Sequence, residues 1–147
     1  MAMSEHSSTD NSDAGSTLDA LIRGAVAIRD RAYAPYSRFH VGAALRCDDG
    51  RIFVGCNVEN AAYPEGVCAE AGAISAMVAN GGRRIVEAVV CGGDGAPCPP
   101  CGGCRQKLRE FGAATLNVTM VDGSGRVLLV RSLAELLPDS FGPENLS

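Results

Sequence analysis

The 147 residues are 46% hydrophobic and 20% charged, with seven cysteines and a net charge of −4. That length and composition suit one compact domain with a real core, and they exclude wholesale disorder, coiled coils and collagen-like repeats. No stretch offers the ~18 uncharged apolar residues of a bilayer span, no basic-then-apolar leader is visible, and no basic footprint suits a phosphate backbone, so the sequence predicts a cytoplasmic protein without membrane or nucleic-acid partners.

Residues 1–16 are mostly small and polar and read as a disordered tail ahead of a domain spanning 17–147. Ser16-Thr17-Leu18-Asp19 resembles a capped helix start. Leu18, Leu21, Ile22, Ala25, Ile28 and Ala32 then recur at helical spacing until Pro35. Val41 to Cys47 and Arg51 to Val58 alternate around Asp48-Asp49-Gly50, a hairpin signal. Cys68 to Val78 reads as an Ala-rich helix closed by Asn80-Gly81-Gly82, and Ile85 to Cys91 as a buried strand. A Gly/Pro-rich loop leads into a helix from about Cys101 to Phe111. Strands at Leu116–Val121 and Val127–Val130 flank an Asp122-Gly123 turn, and Ser132–Leu137 makes a last short helix. The order αββαβαββα predicts a three-layer α/β/α domain with a mixed central sheet of about five strands.

Absences narrow the chemistry. The histidines are His6 and His40, the sole lysine is Lys107, and neither a phosphate-binding loop nor a dinucleotide fingerprint occurs. Arg105, Lys107 and Arg109 read as a solvated helix face. Cys47, Cys56 and Cys91 lie in strands and read as small buried hydrophobes.

Three other cysteines sit where a loop feeds a helix. Cys68 opens one helix, and Cys101 and Cys104 stand i, i+3 at the start of the next. There the unpaired N–H groups and positive helix end favour thiolates. A C-x-x-C pair alone is a zinc half-site or a redox pair. With Cys68-Ala69-Glu70 some thirty residues upstream, three thiolates leave zinc an open fourth position, and Glu70 supplies a carboxylate beside it without being a ligand. The competing reading takes Cys98 as a fourth thiolate, closing a structural zinc site or holding a cluster, and gives no role to Glu70.

The chain resembles the small homotetrameric zinc-dependent cytidine deaminase family. The resemblance runs from about Tyr33 to the C-terminus. It covers Ala34-Pro35-Tyr36-Ser37-Arg38-Phe39, Val41-Gly42-Ala43-Ala44, Gly55-Cys56-Asn57-Val58-Glu59-Asn60-Ala61, Cys68-Ala69-Glu70, Pro100-Cys101-Gly102-Gly103-Cys104-Arg105-Gln106 and Ser140-Phe141-Gly142-Pro143-Glu144. It implies hydrolytic deamination of cytidine and deoxycytidine to uridine and deoxyuridine in pyrimidine salvage, with one Zn²⁺ per chain. Cys68, Cys101 and Cys104 would bind the zinc and Glu70 would shuttle protons. Asn57 and Glu59 would grip the ribose, Phe39 would pack on the base, and the Ala69 N–H would meet the pyrimidine carbonyl. Ala61, Tyr63 and Phe141 would reach a neighbouring subunit's site. Taken singly, Phe39 reads as a core aromatic, Asn57 and Glu59 as turn and strand-end residues, and Glu70 as a surface carboxylate favoured by the helix dipole. One departure stands out: Ala71 occupies the place of the family's usual arginine after C-A-E.

Overall fold

The computed structural model describes the backbone of residues 10–147 and the side chains from residue 15 onward. Its elements run α1 (Asp10–Arg29), β1 (Gly42–Cys47), β2 (Ile52–Cys56), α2 (Ala69–Ala79), β3 (Ile85–Cys91), α3 (Gly102–Phe111), β4 (Gly112–Val121), β5 (Val127–Ser132) and α4 (Leu133–Leu136), with single 3₁₀ turns at Tyr63–Glu65 and Pro143–Leu146. The five strands form one sheet in the order β2-β1-β3-β4-β5. β3 and β4 pair in parallel, and every other pair is antiparallel. The parallel pair is the one joined through a helix, α3, as a crossover requires.

Strand alternation divides the core between the two faces. Ala43, Leu45, Ala88, Val90, Val118 and Met120 point to the side covered by α2, α3 and α4. Ala44, Val89, Cys91 and Val121 point the other way and meet Leu21 and Ala25 of α1. β3 is therefore buried on both faces, which is why its sequence is a nearly continuous apolar run. The three-layer mixed architecture matches the expectation from element order.

Helix α1 starts earlier than expected. It begins at Asp10 rather than at a Ser16 cap, so residues 10–16 of the expected tail are helical, and residues 1–9 lie outside the described residues. Once Leu21 and Ala25 anchor the helix, each preceding residue adds a backbone hydrogen bond at little cost, and no proline intervenes. Cys47 and Cys91 are buried as expected, while Cys56 is half-buried. Burial raises the Cys91 thiol to about 11, and its Sγ lies 3.3 Å from the Asp122 carbonyl.

One close approach positions the site. A Cβ on Gly55 would fall 2.3 Å from the backbone nitrogen of Ala73 and 2.5 Å from the Ala69 carbonyl oxygen. Helix α2 thus rests backbone-on-backbone against β2, and only glycine fits between them. Gly55→Ala is expected to push α2 off the sheet, lowering stability by ~3 kcal/mol and Tm by roughly 6–12 °C. Thermal unfolding followed by circular dichroism checks this.

Candidate active site and metal centre

Cys68 is the N-cap of α2 and Cys101 the N-cap of α3, each in extended conformation, and Cys104 lies in the first turn of α3. The two helix starts converge: the donor sulfurs of Cys68, Cys101 and Cys104 all lie within 4.8 Å of one another. The Cys68 and Cys101 sulfurs are 3.9 Å apart. Two sulfurs bound tetrahedrally at ~2.3 Å from one zinc ion stand about 3.8 Å apart, so this donor set fits zinc.

The thiols differ in their settings. The Cys104 N–H hydrogen-bonds Cys101 and lowers its pKa, as a helix start should. Burial raises Cys68, with the neighbouring Cys101 and the Glu70 carboxylate adding to the rise. Burial likewise raises Cys104, helped by Glu70 and the other two thiols. The expectation that helix starts favour all three thiolates therefore holds at Cys101 only. Desolvation and mutual repulsion outweigh the dipole at the other two, and a divalent cation among the sulfurs reverses that balance. Loading the metal-free protein with Zn²⁺ at neutral pH is accordingly expected to release roughly two to three protons per ion, measurable by calorimetry in buffers of different ionisation enthalpy.

Glu70, the second residue of α2, is 5% exposed, an unusual burial for a carboxylate in a first helical turn. It sits close enough to the cluster to act on the thiols of Cys68, Cys98, Cys101 and Cys104. Ala69, beside it, is buried at the helix start. Cys98 stands outside the three-sulfur group among the described residues. It packs against the core on the α2 side, and its Cβ and Sγ cover Gly92. The four-thiolate alternative does not match this arrangement.

A cavity of about 540 Å³ opens beside Cys68, lined among others by Tyr36, Ser37, Asn57, Glu59 and Tyr63. Its wall is tethered by the two polar residues the sequence singled out. Asn57 Oδ1 accepts from the Val41 N–H at 2.8 Å, and its Nδ2 donates to the Phe39 carbonyl at 2.8 Å. Glu59 Oε1 accepts from the N–H groups of Tyr36 at 2.9 Å and Ser37 at 3.1 Å. The Ser37 side chain, then these N–H groups, hold the Glu59 carboxyl below the usual carboxylate range. Ser37 Oγ also accepts from the Phe39 N–H at 3.0 Å, across Arg38 at φ +59°. Phe39 is not a core aromatic: it is exposed, with its ring edge over Gly92 and Gly93. Ser37 is the part of this arrangement that sequence reasoning passed over, although it stands inside a quoted motif. Ala61, Tyr63 and Phe141 are all exposed, and Tyr63 meets Tyr36 edge-on at a centroid distance of 5.9 Å.

Residues 16–120 match the family model described as the cytidine and deoxycytidylate deaminase zinc-binding region. A cytidine deaminase of Mycobacterium tuberculosis is 45% identical over 115 residues, covering 78% of this chain and 82% of the relative. The chain belongs to the cytidine deaminase family. A cytidine deaminase of Sporosarcina psychrophila is 39% identical over 130 residues, 88% of this chain and 95% of the relative. The crystal structure of cytidine deaminase from Burkholderia pseudomallei superposes with a TM-score of 0.78 at 47% identity, covering 84% of this chain and 98% of that one.

Within this cytidine deaminase fold the Arg105–Lys107–Arg109 group is not the solvated face expected. Lys107 is exposed, but Arg105 and Arg109 are half-buried. Arg105 donates to the carbonyls of Pro100 at 2.8 Å and Leu136 at 2.7 Å. The C-terminal segment folds back over α3, which charge patterning along one helix cannot reveal. Among the described residues, no helix is long and apolar enough to cross a membrane.

Proposed function

We propose that this chain is a cytidine deaminase of pyrimidine salvage, converting cytidine and deoxycytidine to uridine and deoxyuridine by zinc-dependent hydrolysis. The observation that carries the reading is the three-sulfur group at two converging helix starts with a buried carboxylate beside it. Zinc, when bound by Cys68, Cys101 and Cys104, supplies a Lewis acid and an activated water.

The chain's own residues do the rest. Glu70 takes a proton from the attacking water, delivers it to N3 of the pyrimidine and then helps protonate the departing ammonia. Its burial keeps bulk water from competing for those protons. The Ala69 N–H, free at the helix start, donates to the pyrimidine carbonyl. Phe39 packs on the base. Asn57 donates to one ribose hydroxyl and Glu59 accepts from another with the capacity left after tethering the 36–41 segment: an amide offers two N–H donors, and a carboxylate about four acceptor sites. One pair of residues thereby shapes the loop that carries Phe39 and reads the sugar. Deoxycytidine still offers its 3′-hydroxyl, whereas free cytosine has no sugar and leaves both residues unpaired, so cytosine is a poor substrate.

The active form is a homotetramer in which Ala61, Tyr63 and Phe141 complete a neighbouring copy's site. Support comes from the exposure of Tyr63 at 76% and Phe141 at 57%, large for aromatic residues unless a partner covers them. Seven free cysteines suit a reducing compartment, the cytoplasm, with no membrane or nucleic-acid partner. The catalytic domain spans 17–147 together with the first turns of α1 from Asp10, which continue the same helix.

The test is incubation of the zinc-loaded protein with cytidine, deoxycytidine and cytosine, following ammonia and the uracil product. Turnover of both nucleosides is expected. Release from cytosine alone, or from none of the three, overturns the reading.

A further inference from the structure

The residues that hold the C-terminal segment come from the same helix that supplies two metal ligands. Downstream of Cys101 and Cys104, Gln106 Nε2 donates to the Phe141 carbonyl at 2.9 Å, and Arg109 Nε donates to Ser140 Oγ at 2.8 Å. Arg109 Nη2 also pairs with Glu144 Oε1. The guanidinium fills the space over Gly142, where a Cβ would fall 2.5 Å from Nη2. Arg109 thus bridges both sides of Phe141, holding residue 140 before it and residue 144 after it, with the backbone of 142 beneath. Phe141 as a residue is 57% exposed, so its own packing does little to place it. Where the ring stands is set chiefly by the tethers on its backbone.

We propose that Arg109 is a positioning residue for deamination: by clamping Ser140 and Glu144 to α3, it fixes the direction in which Phe141 enters the neighbouring copy's site. The inference rests on the proposed role of Phe141 in that site. The clamp acts through geometry rather than ion-pair energy, because a half-exposed pair contributes little to stability. Lysine cannot replace it, since one ammonium lacks the planar fork that reaches two partners while packing flat over Gly142. A gap of ~1 Å opened between an aromatic wall and the bound base forfeits up to about half of their dispersion contact, which weakens binding.

The experiment is a double-mutant cycle on the zinc-loaded enzyme with cytidine. Phe141→Ala and Arg109→Gln are each expected to raise KM on the order of tenfold, the size of one lost aromatic contact, with kcat and zinc content unchanged. The double variant should be no worse than either single one, because Arg109 acts through Phe141. Glu144→Gln keeps the acceptor oxygen and should stay near wild type, whereas Glu144→Ala should follow Arg109→Gln. Glu144 is exposed, so its variants test the clamp even if Arg109→Gln folds poorly.

A second readout uses the absence of tryptophan from the chain. In Phe141→Trp the single indole should emit as a buried group in the assembled enzyme, and adding Arg109→Gln or Glu144→Ala should shift that emission to the red at unchanged oligomer mass. If Phe141→Ala leaves KM unaltered, the role given to Phe141 fails and the clamp with it. If Phe141→Ala raises KM while both Arg109→Gln and Glu144→Ala do not, or if the effects add in full, the clamp alone is overturned.

Discussion

Glu70→Gln is expected to keep the fold and one zinc per chain while losing about 10²–10⁴-fold in kcat, the contribution of a positioned acid–base group. The substitution is nearly isosteric at a position only 5% exposed, so packing changes little. What disappears is the ability to accept a proton from water and hand it on. The thiols gain rather than lose by the change. Burial is the main cause that raises Cys68 and Cys104, but the Glu70 carboxylate adds to it at both, and removing a negative charge eases their ionisation. Zinc retention should therefore hold or improve. If Glu70 acts only as the reaction proceeds, kcat and kcat/KM should fall together, with binding of an unreactive nucleoside unchanged. Single-turnover kinetics on samples of equal zinc content make the measurement, and near-wild-type turnover would remove Glu70 from the mechanism.

The sequence carried the elements whose signals are local. β3 was legible at its observed bounds, Ile85–Cys91, because burial on both faces leaves a continuous apolar run. The β1–β2 hairpin was legible from alternation and from Gly50, which takes φ +88° in the turn. β4 begins at Gly112, four residues before the expected Leu116. Ala113–Thr115 are exposed and carry no alternation, and the strand is started there by the pairing of Gly112 with Ile85, a contact across the chain. The early start of α1 has the same kind of cause, since propagation from a packed segment leaves no mark in the residues it recruits.

The candidate site divides in the same way. Cys101 and Cys104 are readable because ligand spacing and a helix start coincide within four residues, and the Cys68–Glu70 spacing adds the third ligand and the carboxylate. The tethers are not readable. Asn57 holds backbone groups of residues 39 and 41, and Arg109 holds side chains more than thirty positions away. A side chain's partner at that separation depends on the fold, and the composition of α3 alone suggested solvent for Arg109 where residue 140 was waiting.

Cys101→Ala and Cys98→Ala differ by three positions and should differ completely in outcome. Cys101 caps α3, and its thiol is the one shifted toward the thiolate, principally by the Cys104 N–H. Its loss leaves Cys68 and Cys104, both raised by burial, so the remaining pair must ionise against desolvation with one fewer ligand to repay the cation. Zinc content should fall to near zero per chain and deamination with it, while far-UV circular dichroism stays close to wild type, because two helix faces and the sheet hold the core without metal. Cys98, by contrast, is packed against the core and over Gly92, outside the three-sulfur group. Removing its sulfur should cost about 1 kcal/mol of packing and leave one zinc and most of the activity. Atomic absorption on dialysed samples, paired with cytidine turnover, separates the two. Equal zinc loss from both variants would mean that Cys98 moves in as a fourth ligand, which closes the position the substrate water needs and returns the chain to the structural-site reading.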